Sequence, residues 1–208
     1  MFFALLLILN QFSLSANPTV NSEIDVSTGL GGIVWETETQ PQINSNIGIA
    51  FGYRMEWKND FWFGGNLLIN AYSGDSQYHR GPGASILQFM LYKKLKLDMW
   101  TVLAGAGLSS NIVLSSRTIS NDPTGIPDGN YSIIRPGIGS GFQIMLVHRI
   151  QSSISIILSF IYNTSYYVNT CWEGPVTDCS EVDPFMQQWF ISAGITYSFN
   201  ALFPLFEY

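Results

Sequence analysis

Charge is what this 208-residue chain has least of. Asp, Glu, Lys and Arg together make up 12% of it, about half the usual soluble fraction of roughly 25%. A soluble β-protein covers its exterior with those residues, so the shortage excludes an ordinary water-facing surface. Cations are the scarcer kind, nine Lys and Arg against fifteen Asp and Glu, for a net charge of −6. That leaves no basic patch for nucleic acid. Cysteine occurs only as Cys171 and Cys179, and two sulfurs without a neighbouring histidine lack the ligands of a zinc site. Neither a metal nor an organic cofactor is expected. Beyond the amino terminus no run of about 18 apolar residues exists, so no helix is expected to cross a membrane.

What the chain does have is alternation. From Ile47 to Trp57 every odd residue is apolar (Ile47, Ile49, Phe51, Tyr53, Met55, Trp57), while Gly48, Ala50, Gly52, Arg54 and Glu56 stand between them. A period of two is that of a strand, whose successive side chains point to opposite faces. The pattern recurs eight times. The expected strands cover 23–36, 43–58 and 61–72, then 84–93 and 100–114. Three more cover 131–147, 152–163 and 185–199. Links between them alternate in length. Longer polar segments lie at 37–42, 73–83, 115–130 and 164–183, with tight turns at 58–60, 94–97 and 148–151. Pro136 inside a strand implies a bulge or a later strand start.

The two faces differ in kind. One carries Ile, Leu, Val, Phe and Trp; the other is mostly Gly, Ser, Asn and Thr, small residues that suit a crowded interior. A lipocalin-like soluble barrel turns the apolar face inward, but small uncharged residues are poor cover against water. The apolar face is therefore expected to meet lipid, because only closed strands or helices satisfy their backbone groups there. Outward aromatics form two bands. Trp57, Phe61, Phe63, Trp100, Tyr197 and Phe199 lie toward the short turns, and Phe160, Tyr162 and Trp189 toward the long loops. Such girdles mark the headgroup level.

Residues 1–16 are an apolar run ending in small residues and read as a secretory signal peptide. The barrel is expected over 17–199 and a short periplasmic tail over 200–208. Export into an oxidising compartment would suit a Cys171–Cys179 disulfide in the longest loop.

This architecture resembles the eight-stranded outer-membrane β-barrels of the OmpA/OmpX-like group: an all-β, antiparallel, up-and-down transmembrane barrel. The most specific local match is Ser192-Ala193-Gly194-Ile195-Thr196-Tyr197-Ser198-Phe199, similar to the terminal pattern that barrel assembly machinery reads in that family. The resemblance implies Gly194, Tyr197 and Phe199 as insertion determinants. It also implies outer-membrane lipid as the surrounding partner and a monomeric barrel.

Three kinds of chemistry are weighed on the residues. Glu23, Asp25, Arg54 and Glu56 face inward near the short turns, and Arg135 faces inward on the sixth strand. Buried charges must pair, so these form a candidate lumen charge cluster, as a plug or as the gate of a narrow passive channel. Asp75, Ser76 and His79 supply the residue types of a loop-borne hydrolase, though loops gather these residues for turn reasons too. The long loop with Tyr166, Tyr167, Trp172, Glu173, Asp178, Glu181 and Asp183 is aromatic and acidic, a candidate surface for an extracellular ligand. A structural or surface-interaction role is the leading expectation.

Overall fold

A computed structural model describes residues 19–35, 42–58, 60–73, 75–76, 79–120, 125, 127–167, 171, 173–177 and 185–202. The expected signal segment lies outside them. Eight long strands build the molecule: β1 Thr19–Trp35, β2 Gln42–Lys58, β3 Phe61–Ser73 and β4 His79–Leu97. They continue as β5 Trp100–Ile119, β6 Gly129–Arg149, β7 Ile154–Tyr167 and β8 Phe185–Leu202. Each pairs antiparallel with its sequence neighbours, and β8 pairs with β1 along its length, closing the sheet. Closure removes the open edges that would otherwise seek partners. A two-residue strand, Asp75–Ser76, folds back on the start of β4.

The register fixes the barrel's shear. Ser22 pairs with Met55, Met55 with Phe63, Phe63 with Leu91, and Leu91 with Ala106. Ala106 pairs with Phe142, Phe142 with Tyr162, Tyr162 with Trp189, and Trp189 with Gly32. One circuit thus returns to β1 ten residues above its start. A stagger of this kind makes the strands lean, and with eight strands leaves an interior that side chains can fill.

The inward and outward phase of all eight strands follows the alternation. Strand ends are where expectation and structure part. β4 runs on through Leu97, past the turn expected at 94–97, and the chain reverses at Asp98, whose φ is +47°. The earlier tight turn holds Asp60 at φ +65°; aspartate tolerates this left-handed region better than most residues. The segments expected as loops at 73–83 and 115–130 are partly strand. β5 continues to Ile119 and β6 begins at Gly129. Ser, Asn and Gly there read as loop, yet a paired strand satisfies its backbone groups whatever its side chains and has no need to be apolar. β8 likewise reaches Leu202, three residues into the expected tail.

Pro136 is a further correction. It sits in unbroken register opposite Ile112, with no bulge. The described ladder of β7 to β6 begins one residue later, at Gly137 with Tyr167, so Pro136 lies just outside it, at a strand position where a missing N–H is tolerated.

Candidate functional site

Among the described residues, polar chemistry is concentrated in the lumen, and it is tiered. At the short-turn end Arg54 is completely buried. Its Nη1 donates to Asp25 Oδ2 at 3.1 Å and its Nη2 to Thr196 Oγ1 at 3.3 Å. Glu23 Oε2 lies 3.6 Å from Arg54 Nε, and Lys94 Nζ lies 3.9 Å from Glu23 Oε1. The guanidinium also stands 5.8 Å from the centre of the Tyr92 ring. One arginine thus ties β2 to β1 and β8 and leans toward β4. Two carboxylates against a buried cation meet the condition for tolerating charge in a low-dielectric interior.

Glycine makes room for it. Gly52 pairs with Asp25 and Gly64 with Arg54; a Cβ at Gly52 would overlap the Asp25 carboxylate, and one at Gly64 would lie 2.6 Å from Arg54 Cγ. Glu56 stands at the mouth, where it accepts a hydrogen bond from Asn21 Nδ2 at 2.6 Å. Arg135 is separate from this cluster. It is buried near the other end of the lumen, on the stretch of β6 that pairs with Val113. Parity correctly turned Arg135 inward; it carries no information about height, which the strand lean decides.

Across from Arg54, Trp62, Tyr92, Leu103, Met145, Val147 and Ile157 form an apolar cluster. Lys94 Nζ caps it, 4.4 Å above the Trp62 ring, within the range of a cation–π contact. Just above lies a closed polar network. Asn66 Nδ2 donates to Tyr92 Oη at 2.8 Å and to Gln143 Oε1 at 2.7 Å. Tyr92 Oη donates to the same Gln143 oxygen at 2.8 Å, and Gln143 Nε2 donates to Ser159 Oγ at 2.7 Å. Four strands meet through these side chains. Ser27 Oγ donates to Ser192 Oγ at 3.0 Å across the β1–β8 seam.

Higher still, Ala50, Leu68, Ile86, Ile161 and Phe190 pack as a second apolar tier. The carboxamides Asn46, Asn70, Asn111, Asn163 and Gln188 follow, all buried. Asn111 and Asn163 both donate to Ser165 Oγ. Ile33, Ala84, Val113, Tyr167 and Met186 form a third apolar cluster above them.

These apolar tiers are what sequence reading missed. It described the lumen face as small and polar. The signal was present: Trp62 and Leu68 share the even parity of Asn66 and Asn70, and Phe190 that of Ser192. Strict parity assigns them inward.

The remaining expected residues fall as follows. Trp57, Phe61, Phe63, Trp100, Trp189 and Tyr197 are outward and exposed, and Phe199, Phe160 and Tyr162 are half-buried. Phe142 packs on both Phe160 and Tyr162, with ring centres 5.7 and 5.4 Å apart. Gly194 pairs with Ser27, and a Cβ there would strike the β1 backbone. The backbones of Asp75, Ser76 and His79 form the small hairpin above β3 and β4, while their side chains lie outside the described residues. Cys171 is not a free thiol, and Cys179 lies outside the described residues.

No family model and no curated protein matches the chain in sequence. Solved structures do match. Neisserial surface protein A is 14% identical over 85% of this chain and 97% of its own, with a TM-score of 0.53. Ail, the attachment invasion locus protein of Yersinia pestis, is 13% identical over 86% and 99%, at 0.51. The outer membrane protein AlkL, solved in lipid bilayers, is 11% identical over 93% and 96%, at 0.54. The chain therefore has the fold of the small outer-membrane β-barrels: eight antiparallel strands closed on themselves.

Proposed function

We propose that this protein is an integral outer-membrane barrel with a structural or surface-interaction role, its lumen closed by packed side chains. The observation that carries this reading is the tiering of the lumen. The Arg54 ion-pair cluster, the Asn66–Tyr92–Gln143–Ser159 network and the Phe190 tier are stacked along one axis, each made of buried side chains from several strands. An ion crossing it would have to break buried pairs and then enter an apolar constriction, which excludes ions by dewetting. In this reading the short turns face the periplasm, the aromatics at each end lie at the headgroup level, and no step of catalysis is assigned to Asp75, Ser76 or His79.

The narrow passive channel is the second reading. It is favoured by the carboxamides of Asn46, Asn70 and Gln188, whose buried polar atoms have no hydrogen-bond partner among the described residues and could line a wet path. Planar-bilayer recording separates the two. A closed lumen gives no stable conductance, with or without Arg54→Ala; steps that change with that substitution would establish the channel. Fractionation tests the location, with the protein expected in the outer membrane and showing heat-modifiable gel mobility. Recovery as a soluble periplasmic protein would overturn it.

For the exposed end, the proposed interacting element is the loop between β7 and β8. Cys171 and Cys179 are proposed to pair within it, fixing its tip and lowering the ordering cost of binding. Ser132 and Glu173 exchange both backbone hydrogen bonds, each 2.8 Å, which brings this loop beside β6.

A further inference from the structure

The outward apolar surface does not end at one height. On β4 it runs from Leu97 to Leu87, interrupted by Lys93, whose Nζ lies 4.5 Å over the outward Phe61 ring, and stops at the exposed Ser85. A strand leaning by about 40° gains about 2.5 Å per residue, so this stretch is about 25 Å tall, the ordinary height of a barrel's apolar band. On the neighbouring β5 it runs from Trp100 to Leu114, about 35 Å by the same measure.

The extra height is a contiguous tier on three strands. Leu114 pairs with Ile134, Ile112 with Pro136, and Ile138 with Tyr166. Ile112, Leu114, Ile134, Ile138 and Tyr166 are each between 49% and 70% exposed. Below them Ser110, Ser140 and Thr164 interrupt the lower band. Ser140 is answered internally, since Thr164 Oγ1 donates to its carbonyl at 3.3 Å and lies 3.4 Å from its hydroxyl. A hydroxyl with an internal partner costs little in hydrocarbon. Above the tier polarity returns, and Thr118 Oγ1 donates to Asn130 Oδ1 at 2.9 Å. The tier is thus bounded on top, uncharged, and continuous beneath with the lipid-facing band.

We propose that the outer face of the β5–β6 hairpin is a docking surface for the acyl chains of outer-leaflet lipid, which it holds about 10 Å higher than the β4 wall does. A wall too tall for the surrounding hydrocarbon thickens the bilayer locally or tilts the protein. The tier therefore selects long or saturated chains at one side of the barrel. This rests on the reading that the barrel spans the outer membrane.

The test needs no substitution, because three of the tier residues are isoleucines. The full chain, in lipid nanodiscs and labelled at isoleucine δ1 methyls, is titrated with a soluble gadolinium chelate. In a second sample it carries lipid spin-labelled near the headgroup. The Ile112, Ile134 and Ile138 methyls should be relaxed by the labelled lipid, and several-fold less by gadolinium than the loop amide of Gly125. Strong gadolinium relaxation of these three, with Ile49, Ile69 and Ile144 protected, overturns the tier and leaves the barrel reading intact. Gadolinium relaxation of Ile49, Ile69 and Ile144 as well overturns the barrel reading. Protection of the tier from both agents means that a second copy or another protein covers it, and overturns the lipid assignment.

Discussion

Tyr92 lies directly across the β4–β5 pair from Gly105 and occupies the space a side chain there would need. The same relation joins Asn70 to Gly48 and Tyr167 to Gly137. In an interior this narrow, these three side chains are each seated on a bare backbone. Gly105→Ala should therefore push the Tyr92 ring off Asn66 and Gln143. Overpacking of this kind costs about 1–3 kcal/mol, read as a lower urea midpoint of the refolded barrel. A Cβ built at Gly125 would meet no atom within 4 Å, but its φ of +82° makes it unsuitable as a neutral control.

Removing Arg54 leaves Asp25 and Glu23 buried without their cation. Arg54→Ala should cost about 3–5 kcal/mol, the range for breaking one half of a buried pair. Arg54→Met combined with Asp25→Asn and Glu23→Gln should recover most of it. Equilibrium unfolding of the single and triple variants checks both statements; a triple variant as unstable as the single one would sink the account.

The Asn66–Gln143 contact spans the barrel and should show coupling. Asn66→Leu and Gln143→Leu each strand a buried partner, at about 1–3 kcal/mol apiece. The double variant strands fewer groups than the singles imply together, so a double-mutant cycle should give an interaction energy of about 0.5–3 kcal/mol.

Phe190 is fully buried in the middle apolar tier. Phe190→Ala should lower stability by about 3–5 kcal/mol through the cavity it leaves. If that tier is the barrier, bilayer recordings of Phe190→Ala should show ion leak while those of Arg54→Ala remain silent.

The loop cysteines should behave as one unit remote from the wall. Reduction and alkylation of the folded protein should add two labels, at Cys171 and Cys179, and leave the unfolding midpoint within about 0.5 kcal/mol of the untreated barrel. Labelling without prior reduction would refute the pairing.

Strand phase was legible because one variable sets it. Once Ile47 to Trp57 fixed parity in β2, every inward residue from Ser45's neighbour Asn46 to Arg54 followed. Height was not legible. It depends on the ten-residue stagger, which no single strand encodes, and so Arg135 was grouped with Arg54 although the lumen's length separates them. The ends of β5 and β6 were hidden for a different reason. Strand pairing is carried by backbone groups, which do not require apolar side chains, so Ser116 and Ser132 pair in register while looking like loop. The apolar tiers around Phe190 and Trp62 were present in the parity but masked by the abundance of glycine on the same face.

The β1–β8 seam has a consequence for how the molecule comes into being. Ser27 and Ser192 meet across it although 165 positions separate them in the chain. Every other wall contact between strands joins sequence neighbours and can zip locally from a turn. The seam alone demands that the two ends of the strand array find each other, the contact of highest loop-closure cost. Until β8 arrives, β1, already paired with β2 on one side, presents an unanswered edge along its seventeen residues, and Asp25 lacks the Thr196 neighbour that shares its arginine. β8, eighth of these strands in chain order, is thus the latch, and a nascent chain stalled before Phe185 keeps two unpaired sheet margins.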